Sequence, residues 1–221
     1  LETPIQQQWM NSLLLTVNQY DQYELRPFNF LDDESLTLSF QESLRYSGSG
    51  FKAAVGVEGL MELYSWQTKA NTTQAILTDA RELRRHLNAF FSMEYTVLER
   101  MRISLGTNIN FTGYGIEHQL PAVSTDHFKG IPIVSPMIGL SYPLSEKLML
   151  YGSAGHGFST PTVEESPGSD GRMNTLLRPE QGWTLDAGVK SWLFNAKLAI
   201  QGSVYTIFLN DLLVTKRPAE D

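Results

Sequence analysis

Four histidines, His86, His118, His127 and His156, are the side chains best suited to hold a metal or move a proton near neutral pH. Their spacing serves neither purpose, because no H-E-x-x-H or comparable pattern puts two ligands on one face. Cysteine is absent, which removes thiolate nucleophiles, disulfides and Cys-based metal sites. No G-x-S-x-G turn occurs. "GYGIEH" at 113–118 and "GSAGHG" at 152–157 are Gly-rich, but no helical pattern follows either, and a phosphate cradle needs the N–H groups of a helix start. Glu164 and Glu165 are neighbours in a loop, so their carboxylates point apart. The reading is of a protein that is not an enzyme and needs no cofactor. One group has a use in binding: His118, Asp126 and His127, within 113–132, could touch a bound metal chelate. The plainer reading of the same three is ordinary polar loop residues.

Charge and composition narrow the class further. The 221 residues are 42% hydrophobic, 11% aromatic and only 19% charged, a balance that favours strands over helices. The formal net charge of −7 would repel nucleic-acid phosphates. The single tight basic group, Arg81, Arg84 and Arg85 followed by His86, reads as a solvated loop face. "TDARELRRHL" is also the one stretch that reads as a short helix. No run reaches the roughly 18 apolar residues of a membrane helix. The chain starts at Leu1 without a visible signal peptide, as a mature or trimmed chain would.

The elements that position these residues follow a period of two. In "MRISLGTNINF", Ile103, Leu105, Thr107, Ile109 and Phe111 oppose Arg102, Ser104, Gly106, Asn108 and Asn110. In "GWTLDAGVKSW", Trp183, Leu185, Ala187 and Val189 oppose Thr184, Asp186, Gly188 and Lys190. Nine such runs are legible, several longer than ten residues. A typical globular strand has about 5–6 residues, whereas a tilted strand crossing a bilayer needs about 9–11. The polar faces carry Gly, Ser, Asn and Thr with scattered charges, as a wet lumen opposite a lipid face would. Connections alternate: long ones near 20–33, 66–86, 113–132 and 157–179, short ones at "RYSGSG", "LERM", "YPLSEK" and "LFNAK". Aromatics such as Trp9, Tyr20, Tyr64, Trp66, Tyr142 and Trp192 gather at run ends, where an interfacial girdle would sit. The fold class is therefore all-β, an antiparallel meander of long strands of the transmembrane β-barrel kind; the family resemblance that follows makes it an incomplete segment of such a barrel.

Specific residues carry a family likeness. Gly157, Phe158, Pro161 and Thr162, then Leu177, Pro179 and Glu180, then Asn210, Asp211, Leu212 and Leu213 appear in order around two strands. This series resembles the C-terminal barrel region of TonB-dependent outer-membrane receptors, clearly over 86–221; the N-terminal strands resemble the Bacteroidetes type. The resemblance implies a barrel of about 22 strands. It also implies a plug domain and a TonB-binding segment, so residues 1–221 read as a partial barrel lacking the plug and the terminal strands. Implied partners are the TonB complex acting through that plug, outer-membrane lipid, and a small nutrient ligand such as an iron chelate, cobalamin or a glycan. The ligand would be met by external loops 66–86, 113–132 and 157–179. Two rivals stand beside this: a passive porin or adhesin barrel, and a soluble secreted carbohydrate-binding β-sandwich. If the barrel reading holds, the isolated chain should self-associate through its strand edges.

Overall fold

The computed structural model describes residues 1–97, 100–161 and 177–213. All regular structure in them is strand: β1 Glu2–Gln6, β2 Trp9–Leu25, β3 Asn29–Ser47, β4 Phe51–Ala70, β5 Ile76–Val97, β6 Met101–Leu120, β7 Ser124–Lys129, β8 Ile133–Ser145, β9 Leu148–Ser159, β10 Glu180–Leu193 and β11 Leu198–Asn210. They form one sheet in the order β1-β2-β3-β4-β5-β6-β8-β9-β10-β11, with β7 paired to β6. Registers run antiparallel, for example Trp9↔Tyr46 to Leu25↔Phe30 across β2 and β3, and Leu185↔Thr206 across β10 and β11. Among the described residues the path does not close: β1 pairs there only with β2, and β11 only with β10. A single meandering sheet is not a two-sheet sandwich, which removes that rival.

Two strands exceed the nine that periodicity reveals. β1 contains Pro4 and is too short to show alternation. β7, STDHFK, is almost wholly polar and lies inside a segment whose pattern predicts a loop. β7 and β8 both lie against β6, and the Gly130 N–H donates to the Thr112 carbonyl at 2.8 Å where β7 ends.

The long connections are mostly strand. Segment 66–86 is the end of β4, a turn at 71–75 and the start of β5; segment 113–132 is the end of β6 and β7; segment 20–33 is continuous pairing around 26–28. Segment 157–179 begins in β9, and its residues 162–176, including Thr162, Glu164 and Glu165, lie outside the described residues. "TDARELRRHL" lies within β5, not a helix. Its helix formers are overridden because each alternate residue finds a partner on one face of the sheet. β5 has 22 residues. At about 3.3 Å each that is roughly 70 Å, more than twice a hydrocarbon core of about 30 Å.

The chain divides into two compact units: Leu1–Ser47, Ala54–Phe91 and Asn108–Val134 make the first; Gly48–Ala53, Ser92–Thr107 and the chain from Ser135 make the second. In the first, apolar side chains exposed on one face include Leu36, Leu38, Phe40, Leu63, Leu87 and Phe111. Alternate positions on the same strands are buried: Leu31, Asp33 and Ser43 on β3, Ala80 and Glu82 on β5, Tyr114 and Ile116 on β6. In the second unit Leu185, Ala187 and Val189 are exposed while Asp186, Gly188 and Lys190 are half-buried. There Glu180 faces Ser159 across the ladder, and its Oε1 accepts the Leu213 N–H at 2.6 Å. The Pro-Glu strand start and the Asn-Asp-Leu-Leu segment are thus tied together by one carboxylate.

Candidate functional site

The buried face of the first unit carries the densest polar and aromatic assembly among the described residues. It is built by even-numbered positions of β4, β5 and β6, since alternate strand residues share a face. Arg84 is its hub. Its Nε and Nη2 donate to Glu82 Oε1 and Oε2 at 2.7 and 2.9 Å, and its Nη1 to Glu62 Oε2 at 3.1 Å. Glu82 is 3% exposed, so this forked pair supplies the charge compensation its burial requires. The Arg84 guanidinium also lies over the Tyr64 ring, 5.5 Å from its centroid.

Aromatic rings extend from this hub. Tyr64 donates to Asp33 Oδ2 at 3.0 Å and stacks on Trp66 with centroids 5.3 Å apart. Trp66 meets His118 edge-on at 6.3 Å. Tyr114 stacks on Phe128 at 4.8 Å, directly across the β6–β7 ladder. Below them, His86 Nδ1 lies 3.3 Å from Thr112 Oγ1, and Asn88 donates to Glu58 at 2.8 Å. Asp33 Oδ1 and Asn88 Oδ1 are buried and accept no hydrogen bond. Such acceptors suit a face that a donor-bearing ligand or further protein covers.

The three proposed chelate-contacting residues divide between faces. Asp126 pairs with Ile116 and His118 with Ser124, so both are half-buried on the face of Tyr114 and Phe128. His127 pairs with Gly115 and is exposed on the opposite face. The three therefore cannot act as one set. Among the described residues no cluster of three or more His, Asp or Glu is placed to hold a metal ion. The basic group divides the same way: Arg84 points to the polar face, whereas Arg81 and Arg85 are exposed on the other. Trp66, Tyr64 and Arg84 escape the sequence reading as site residues, although the even-position rule applied to β4 and β5 groups them.

Comparison with known proteins matches this architecture. No curated protein is similar to the chain in sequence. Among solved structures, the alcaligin outer-membrane receptor of Bordetella pertussis superposes with a TM-score of 0.73 at 14% identity, covering 92% of this chain and 34% of the receptor. The ferric yersiniabactin uptake receptor of Yersinia pestis gives 0.71 at 13% identity, covering 96% and 35%. The ferripyoverdine receptor of Pseudomonas aeruginosa gives 0.71 at 13%, covering 90% and 30%. The chain thus spans about a third of the length of these receptors. The family model described as TonB dependent receptor-like, beta-barrel matches residues 5–220. An open all-β meander with one apolar and one polar face is what a part of such a barrel must be, and the chain belongs to the TonB-dependent receptor β-barrel family of the outer membrane.

Proposed function

We propose that this chain is part of the barrel of a receptor that imports a small nutrient, an iron chelate, with energy from the TonB complex. The plug through which that complex would act lies outside these residues. The observation that carries the reading is the aromatic and charged face of β4 to β7, backed on the same strands by exposed apolar side chains. In a closed barrel that face lines the lumen, and strands longer than the bilayer carry it to the outside. Trp66, Tyr64 and Tyr114 would stack against the flat groups of a chelate, and Arg84, itself paired with Glu82 and Glu62, would hold the Tyr64 ring in place. The solved relatives named for alcaligin, ferric yersiniabactin and ferripyoverdine support this substrate class.

The test is radio-iron uptake by cells whose sole ferric-chelate receptor is the intact protein, offered the iron complexes of alcaligin, yersiniabactin and pyoverdine. The expected result is uptake of at least one complex, abolished by a protonophore. A Trp66→Ala variant should raise the half-saturating concentration about tenfold, equivalent to ~1.4 kcal/mol. Entry that persists without the proton gradient would instead establish a passive pore.

A further inference from the structure

The polar assembly of β3 to β7 has the wrong balance of charge for an anionic ligand. It holds Asp33, Glu58, Glu62, Glu82 and Asp126, and Arg84 is the one Lys or Arg among its contacts. Arg84 is moreover committed. Its Nε, Nη1 and Nη2 all donate to Glu82 and Glu62, so two carboxylates share one guanidinium and a negative charge is left over. An incoming carboxylate or phosphate would meet that excess, not a free cation, and like charges brought together cost binding energy.

Asp33 is the carboxylate whose needs are least met. It is 9% exposed, and its Oδ2 accepts from the Tyr64 hydroxyl at 3.0 Å, while Oδ1 is enclosed and accepts nothing. An ionised carboxylate offers about four acceptor positions, and burying it with one neutral donor leaves its charge uncompensated. Asn88 Oδ1 is a second enclosed acceptor without a donor, so donors are what this face lacks. Tyr64 and Trp66 stack beside Asp33 with centroids 5.3 Å apart, and Trp66 is half-buried. The Tyr64 ring already carries one cation, Arg84, 5.5 Å from its centroid. Aromatic faces attract ammonium groups through the ring quadrupole, and a carboxylate at their edge adds the counter-charge. An amine reaches Asp33 by taking the place of the Tyr64 hydroxyl. The exchange replaces a neutral donor with a charged one, whose hydrogen bond is about twice as strong.

We propose that Asp33, Tyr64 and Trp66 form a subsite for a protonated amine, so that the ligand carried through this lumen presents a cationic group to β3 and β4. The inference rests on the ligand path proposed above and adds the sign of the ligand's charge. A lysine from another part of the receptor offers the same chemistry; whether an added amine binds separates the two.

Ligand-observed NMR titration of the intact receptor tests it, with 2-phenylethylamine, a cation with one ring, and its neutral N-acetyl derivative as probes. Wild type should bind the amine at least about tenfold tighter than the acetylated form. Asp33→Asn should abolish that preference. Tyr64→Phe, which keeps the ring and removes the competing hydroxyl, should keep or strengthen it. Glu117→Gln, which removes an exposed carboxylate on the opposite face, should leave it intact. Each variant is checked for heat-shifted gel mobility, and Tyr64→Phe keeps the test decisive where Asp33→Asn fails to fold. Equal binding of the two probes, an unchanged preference in Asp33→Asn, or loss of the preference in folded Tyr64→Phe overturns the subsite. No amine bound by wild type, together with loss of the heat shift in Asp33→Asn, would assign Asp33 to a lysine of the receptor and overturn the ligand subsite. No iron complex or energy source enters the titration. A receptor that selects the amine yet imports no ferric chelate therefore keeps the subsite and loses the import reading.

Discussion

At the scale of single residues, the alternation of faces sets what each position tolerates. Leu185 is 43% exposed on the apolar face of β10, and its neighbour Thr184 pairs with Gly155 and Ile207 across the ladder. Arginine at Leu185 should cost about 2–4 kcal/mol near the bilayer midplane, and arginine at Thr184 much less, read by refolding titration into bilayers. The reverse order would mean a register error of one residue, which exchanges the faces. Gly188 is constrained differently. A Cβ there would approach the Tyr151 hydroxyl at 2.5 Å and the Gly202 carbonyl oxygen, part of the backbone, at 2.6 Å. Gly188→Val should therefore lose about 1–3 kcal/mol in the same titration. These faces are legible from the sequence, since Leu185 and Asp186 differ in kind. The separation of His127 from His118 and Asp126 is not. It depends on β7 being a strand, and five polar residues with a single Phe128 give no alternating hydrophobic signal to say so.

At the scale of elements, the lesson lies in where the strands stop. Periodicity finds the bilayer-length portions of β3 to β6 because their outward residues are apolar there. Above that band the outward residues become Asp32, Glu34, Ser65, Lys69, Asp79 and Arg81, so alternation persists in geometry but disappears from hydropathy. Cross-strand pairs hold these extensions together, among them Lys69 with Asp32 at 2.6 Å and Ser65 with Glu34 at 2.9 Å. We propose that the turns at 26–28, 71–75 and 121–123 face the exterior and those at 48–50, 146–147 and 194–197 the periplasm. Epitope tags in the intact receptor should bind antibody on whole cells at the first set only; labelling at 195 on unpermeabilised cells would invert the orientation. The 194–197 turn also stores strain. Phe194, Asn195 and Ala196 have φ of 52°, 55° and 64°, a region that costs an alanine of order 1 kcal/mol. Ala196→Gly should raise stability by about 0.5–1 kcal/mol, measured as a shift in the urea midpoint of the refolded receptor.

For the 221 residues taken together, the dominant physical fact is a sheet that has two free edges among the described residues. All thirteen residues of β11 are exposed, including Val204 at 75% and Tyr205 at 72%, and its outer N–H and C=O groups have no neighbouring strand among the described residues. Such an edge templates pairing with other chains, and in a bilayer each unpaired group would cost several kcal/mol. The 221-residue chain by itself should accordingly need detergent or associate through its edges, visible by light scattering at low concentration; a soluble cooperative monomer would contradict this. A spin-label scan shows whether these strands cross a membrane with alternate residues in lipid and in a lumen. These 221 residues contain no cysteine, so single cysteines can be placed along β4, β6 and β10 of the intact receptor in outer-membrane vesicles once any cysteine elsewhere in it is replaced by serine. Collision rates with oxygen should peak at Val57, Leu105, Ile109, Leu185 and Val189, and those with a water-soluble nickel complex at Glu58, Asn108, Asn110, Asp186 and Lys190. The same rates at odd and even positions, or oxygen peaks at the polar set, would contradict the account.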